Sequence, residues 1–377
     1  MDDNDLQELI AVYIECEGDM DMVDLEIRNQ KIIDAVIEKA KRVCPESLAL
    51  IGIYGSFETG DFHGKSDLDL LVLINDDKGW QLGRTFIQDD LGVGHDIYCT
   101  TWDNLQRDSL YNSPNISKLM DSQIVYYADE KYLERLEALR KKVKDSLQAP
   151  LSREDYIKAE NMLKEAEHFY LMTMLTEDIA DIWVQAGYSI FYIENAIAML
   201  NKKYFHYGTK RVYEELELME NKPCKLCEMI ESVISENSAE QIKKSLTVLI
   251  QETMRTFKKV ETTILIQKKP MTADSIRGTY EEMYSNWRNK MYAASDEDNR
   301  HLAFMSMISL NAMISDLADE VEIASYDVFD GYNPQNLRKT AKAFDDLTME
   351  YSKEYQKANL QVERYQNIDA FIAQYLG

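Results

Sequence analysis

The sequence predicts an α/β domain over residues 1–149, followed by an all-α helical bundle over 150–377. Three observations carry that expectation. Nine of the 14 glycines precede residue 100, which concentrates tight turns early. In the same early part, helical periodicity alternates with short apolar runs that end at glycine turns. Beyond Pro150, five long stretches carry apolar residues three and four apart, the spacing of one buried helix face.

Taken in order, Val23 to Val43 has helical spacing, and Leu48 to Tyr54 is a short apolar strand that stops at Gly55. A glycine-containing loop leads to a second strand, Leu68 to Ile74. A helix is expected over Trp80 to Asp89, a strand over Gly94 to Thr100 and a weaker strand over Gln123 to Tyr127. Lys131 to Gln148 reads as a charged helix. Pro150 then marks a boundary, and Ser152-x-x-Asp155 resembles a helix start. The bundle helices are expected over Glu160 to Leu175, Ile179 to Asn201, Ala239 to Ile266, Ser275 to Ala294 and Arg300 to Ile323.

Composition narrows the possible chemistry. With 42 basic and 67 acidic residues the formal net charge is −25, and residues 1–149 alone hold 30 acidic against 16 basic residues. Such a surface repels a phosphate backbone, so a broad grip on nucleic acid is disfavoured and a cationic small molecule is the better-matched partner. The start, Met1-Asp2-Asp3-Asn4-Asp5, lacks the basic and apolar parts of a secretory signal, which predicts a cytoplasmic protein. The longest convincing apolar run, Leu70 to Ile74, falls far short of the roughly 18 residues that span a bilayer, so no membrane role is expected. Cys16, Cys44, Cys99, Cys224 and Cys227 are an odd, scattered set that reads as reduced thiols. The lone Cys224-x-x-Cys227 pair reads as two helical thiols.

The stretch that carries chemistry runs Tyr54-Gly55-Ser56-Phe57-Glu58, through His63-Gly64-Lys65-Ser66, to Asp67-Leu68-Asp69-Leu70, followed later by His95-Asp96-Ile97. On a strand, residues two apart share a face at roughly 7 Å, so the Asp67 and Asp69 carboxylates can converge while Leu68 faces the core. If the strand carrying Asp96 pairs beside the first, its carboxylate joins them. Three unpaired carboxylates repel one another, and hard divalent cations relieve that repulsion. Gly55 lets the backbone approach a ligand, and Ser56 offers a hydroxyl and main-chain N–H groups suited to phosphate. Together these parts describe two-metal phosphoryl or nucleotidyl transfer, with ions about 4 Å apart.

Gly55-Ser56, Asp67-Leu68-Asp69 and Asp96, in that order, resemble the motif of the nucleotidyltransferases of the DNA polymerase β superfamily. Ser66-Asp67-Leu68-Asp69 looks most like the small bacterial branch that includes aminoglycoside and lincosamide nucleotidyltransferases. The resemblance implies an α+β fold, a mixed-sheet nucleotidyltransferase domain followed by the all-α helical bundle, and two Mg²⁺ ions. Asp67 and Asp69 would bind both ions and Asp96 the catalytic one, with Gly55, Ser56, Lys65 and Ser66 on the nucleotide. It also implies Asp96 as the base, with Glu165 a second candidate. The reaction would move AMP from ATP, or the monophosphate of another nucleoside triphosphate, to a hydroxyl of a small, cationic acceptor such as an aminoglycoside-like antibiotic. Related enzymes sometimes build the site across two subunits, so a homodimer is one expected assembly.

Two alternatives stay open at this stage: adenylylation of a protein partner of the toxin–antitoxin type, and a non-catalytic nucleotide-binding module. Other residues have competing roles. His63 and Lys65 could touch phosphate or be solvated, and His95 should point away from Asp96's face and be structural. Asp178, Asp181 or Glu194 could attract a cationic substrate. Lys202, Lys203, Lys210 and Arg211 could reach a triphosphate or cap a helix end.

Overall fold

The computed structural model describes residues 24–264 and 268–377, and the expectations placed on Asp2 to Asp5 and on Cys16 lie outside the described residues. A helix over 24–43 (α1) precedes β1 (Leu48–Tyr54), a short helix α2 (Ser56–Thr59) and β2 (Asp69–Ile74). Next come β3 (Arg84–Gln88), β4 (Val93–Ile97), β5 (Cys99–Thr101), α3 (Trp102–Asp108), α4 (Ser117–Met120) and β6 (Gln123–Tyr127). The main sheet has the order β5-β2-β1-β6, with β1 antiparallel to both neighbours and β5 parallel to β2, so it is mixed as expected.

Both faces of this sheet are covered, which explains why β1 and β2 read as continuous apolar runs rather than alternating ones. Leu48, Ile51, Leu70 and Val72 pack against Ile33, Val36 and Ala40 of α1. Ala49, Leu50, Leu71 and Leu73 face the other way, onto Trp102, Leu105, Leu119 and Leu136. Alternation along β2, and a bulge between Leu48 and Leu50 that puts Ala49 and Leu50 on one face of β1, sort the two runs into two cores.

The helix expected over Trp80 to Asp89 is not formed. A 3₁₀ turn, Asp77–Leu82, is capped by Asp76 accepting from the Lys78 N–H and ends at Gly83, after which β3 forms a hairpin with β4. Leu82 and Phe86 have helical spacing, but Thr85-Phe86-Ile87 is a β-branched and aromatic run, and Gly92 at φ +62° supplies the left-handed residue of the connecting turn. The strand expected over Gly94 to Thr100 breaks at Tyr98 into β4 and β5, which belong to different sheets.

Five helices follow the sheet and share its core: α5 (Glu130–Gln148), α6 (Arg153–Leu175), α7 (Ile179–Leu200), α9 (Leu226–Ile234) and α10 (Ala239–Glu261), with short α8 (Val212–Glu217) among them. The helix start read at Ser152 is a full capping box with Asp155, whose carboxylate also pairs with the buried Lys202 ammonium at 2.9 Å. Ser152→Ala is expected to cost about 1 kcal/mol, read as a lower urea midpoint at unchanged slope.

The compact units of the structure are 1–265 and 266–377. Pro150 falls inside the first, because one buried cluster runs unbroken from Ala49 and Leu50 of β1 to Phe257 and Val260 of α10. The second unit contains α11 (Ala273–Ile276), α12 (Thr279–Glu282), α13 (Asn289–Asp296), α14 (Arg300–Glu320), α15 (Leu337–Lys357) and α16 (Ile368–Tyr375) around its own core. The single helix expected over Ser275 to Ala294 is interrupted at Gly278, which adopts φ +84°, and widens to a π turn over Met283–Arg288. Among the described residues, α14 is long and apolar enough to cross a membrane by length and composition. Its Ala303, Met307, Leu310 and Ile314 are buried in the core of the second unit. The four described cysteines are free thiols.

Candidate functional site

The antiparallel pairing of β1 and β2 sets Tyr54 directly opposite Asp69. Gly55 follows at φ +70°, and a Cβ built there would lie 2.1 Å from Asp69 Oδ2. Only glycine fits, both for its backbone conformation and for the carboxylate pressed against it. The Gly55 carbonyl accepts from the Glu58 and Thr59 N–H groups, each at 3.1 Å, which starts α2 at Ser56. The Gly-Ser turn and the second acid of Asp-x-Asp are therefore in contact.

Asp67 is exposed just before β2, and Asp69 is half-buried at its first position. Burial pushes the Asp69 carboxyl up to about 6, the Asp67 charge adds to the rise, and Lys118 opposes it. The Tyr54 phenol is pushed to about 12 by burial and then by Asp69, Asp67 and Asp96, so all three acids act on one point. Asp96 reaches this point from the second sheet. Its strand β4 pairs with β3 rather than β2, and its exposed carboxylate accepts from Thr85 Oγ1 at 3.3 Å. Asp67 and Asp69 come together, and Asp96 stands three residues before Cys99 as Asp69 stands three before its parallel partner Val72, so the chain brings Asp96 to the same end of β2, where its charge acts on Tyr54 and Lys118 with theirs. Among the described residues no three acid, histidine or cysteine side chains are gathered into a metal-ready cluster.

Between the motif halves the loop is tied internally. Ser66 is buried; its hydroxyl accepts from the His63 N–H at 2.9 Å and its N–H donates to the His63 carbonyl at 2.8 Å. The Ser66 carbonyl accepts from Arg28 Nη2 at 2.8 Å. Lys65 is exposed, and its N–H donates to His63 Nδ1 at 3.1 Å. His95 is buried as expected, stacked on Phe86, with its pKa lowered by burial and by Arg28 against the pull of Asp67. Arg28 thus sits between the Asp67 loop and His95.

The segment after α7 grips α2. Lys210 Nζ donates to the Asp61 carbonyl at 2.9 Å, and Arg211 pairs with the Asp61 carboxylate at 3.3 Å while covering the Tyr207 ring. Lys202 is engaged elsewhere, with Asp155. His206 Nδ1 meets Asp121 at 2.8 Å, and its Nε2 lies 3.7 Å from Glu58 of α2. Burial pulls the imidazole down, but the Asp121 hydrogen bond and the charges of Asp121, Glu58 and Glu215 outweigh it, so its pKa is raised. A raised histidine stabilises the fold below its unfolded pKa and loses that contribution as pH climbs through the folded value. His206→Gln should therefore flatten the stability profile between about pH 6 and 8, which thermal melts across that range would show.

Glu194 on α7 is pushed up to about 7 by burial alone, and Glu165 is exposed on α6. Phe169 stacks on Tyr188 and Tyr192, so much of the aromatic crowding on α7 is helix packing. Sequence reasoning missed Lys118 and Arg28, which are single cations without a motif. Tyr54 carried a signal in its place immediately before Gly55-Ser56.

No curated protein matches the chain significantly. Among solved structures, a nucleotidyltransferase-like protein from Exiguobacterium sibiricum 255-15 is 14% identical, covering 67% of this chain and 85% of that one, with a TM-score of 0.32. At that level of superposition it says nothing about activity. The family model described as "Nucleotidyltransferase domain" matches residues 30–160, the stretch that holds the main sheet, the Gly55 turn and the acid pair. The chain therefore carries a nucleotidyltransferase domain in its N-terminal part and is a transferase.

Proposed function

We propose that the protein transfers a nucleoside monophosphate, AMP from ATP in the leading case, to a hydroxyl of a small acceptor and releases pyrophosphate. The observation that supports this most is the contact of Gly55 with Asp69 beside Asp67, which joins a phosphate-type turn to an acid pair. The donor set fits a hard divalent cation. Two neighbouring carboxylates, one half-buried and penalised by the other, gain from a cation between them. Asp67 and Asp69 would hold Mg²⁺, with Asp96 the expected third ligand. Bound there, the metal supplies charge neutralisation for the acids and for the departing pyrophosphate.

In the transfer, the acceptor oxygen forms a bond to the α-phosphorus, the bond to the β-bridging oxygen breaks, and the hydroxyl proton passes to a base. Asp96, exposed and held by a single weak contact from Thr85, is the base candidate. The N–H groups at Gly55 and Ser56 would hold the β- and γ-phosphates. Net charge −25 favours a small molecule over nucleic acid as acceptor. Pyrophosphate release with Mg²⁺ and each of the four nucleoside triphosphates, against a panel of hydroxylated compounds, tests this reading. Magnesium-dependent release with at least one pair is expected, and none with any pair overturns it.

A further inference from the structure

The Lys118 side chain of α4 is half-buried and lies 5.5 Å from the centre of the Tyr54 ring and 5.1 Å from that of Tyr98. Tyr54 pairs across the strands with Asp69, which places this ammonium about one side chain from the acid pair. Its pKa is lowered by burial against the opposing charges of Asp108, Asp69 and Asp96. Among the described residues, no hydrogen bond or ion pair engages Lys118 Nζ. Its partners are ring faces and charges at a distance, so its three N–H donors are free for a ligand.

That ammonium lines a cavity of about 430 Å³ between β5, α3 and α4. Arg107 and Lys118 are the two cations of its wall and Asp108 the one acid, which leaves one positive charge in excess. Asn112 adds a neutral donor and acceptor and Ser113 a hydroxyl donor, while the Asn104 amide is tied to Thr100 and Arg107 and holds the Arg107 side chain in the wall. The balance excludes two candidate occupants. A polycation would meet Arg107 and Lys118, and a triphosphate carries several more negative charges than one surplus cation can match. None of these residues belongs to the Gly55 turn. The local charge therefore points the other way from the −25 of the whole chain, and the local charge is what a bound molecule meets.

We propose that this cavity is the acceptor subsite, built for a small polyhydroxylated molecule bearing one anionic group, such as a sugar acid or a sugar monophosphate. Asn112 and Ser113 take the hydroxyls, Arg107 takes the anion, and Lys118 spans from the cavity to the acid pair. The assignment deepens the proposed transfer and rests on it for the word acceptor, but not for binding. Calorimetry on the full chain without nucleotide tests binding directly, with gluconate, glucose 6-phosphate, glucose and kanamycin as probes. The two anionic sugars should bind about tenfold tighter than glucose, and Arg107→Gln, an exposed position, should remove about tenfold of that affinity. If only glucose 6-phosphate gains, the anion is a phosphate; if both gain, a carboxylate suffices. Either outcome supports the site. Kanamycin binding tightest, no binding of either anionic sugar, or R107Q weakening ATP rather than the sugars overturns it. Sugar binding without pyrophosphate release leaves the cavity standing and sinks the transferase chemistry. Release with some other acceptor and no sugar binding does the reverse.

Discussion

Asn in place of Asp69 is expected to abolish turnover while making the metal-free protein more stable. The carboxylate sits half-buried against Gly55, with Asp67 as a like charge beside it, so its ionised form is penalised twice in the folded chain. The amide has the same shape and neither penalty, which should raise the melting temperature by about 2 °C, equivalent to about 1 kcal/mol for a unit of this size. Turnover should fall on the order of 10³-fold, because cation binding at the acid pair accounts for several kcal/mol of transition-state stabilisation. Millimolar Mg²⁺ should raise the melting temperature of the wild type and leave that of D69N in place. Retained pyrophosphate release in D69N would falsify the assignment of Asp69, whatever its stability.

Gly55→Ala should damage both fold and activity, through two separable causes. The new Cβ falls 2.1 Å from Asp69 Oδ2, so the carboxylate or the turn must move, and φ +70° with ψ −146°, a region kept for glycine, adds a backbone cost of about 1–3 kcal/mol. A displacement of about 1 Å at a reacting centre is worth on the order of 10² in rate. Gly60 provides the control. It adopts φ +77° in the left-handed helical region with nothing within 4 Å of its would-be Cβ, so G60A carries a smaller backbone cost and no clash. Melting temperatures should therefore drop in both variants, more in G55A, while pyrophosphate release should collapse only in G55A. Equal loss of activity in the two would mean that the turn's conformation, and not the close approach of Asp69, is what matters.

The parts of the site that were legible in the sequence are those set by local chemistry. Gly55-Ser56 announces itself because a glycine ends an apolar strand, and Asp67 and Asp69 do because their spacing fixes a shared face. The position of Asp96 depends on which strand β4 chooses, and hairpin pairing with β3 rather than β2 is decided by the turn through Gly92, a choice that a strand's own residues do not reveal. The Trp80 to Asp89 segment failed for a related reason: four-residue spacing of Leu82 and Phe86 is compatible with either period when the run is short. Lys118 and Arg28 were invisible because a lone cation carries no pattern; each acquires meaning only from neighbours far away in the chain. The unit boundary near 265 was hidden likewise, since an amphipathic helix states that one face is covered but not by what.

That continuous cluster from β1 to α10 has a consequence for how this architecture can change over evolutionary time. The transferase module is not a detachable cassette that could be recombined onto another partner at Pro150. Any exchange there would strip an oily face from both halves at once. A substitution on either side of Pro150 that faces this cluster is therefore felt on both sides.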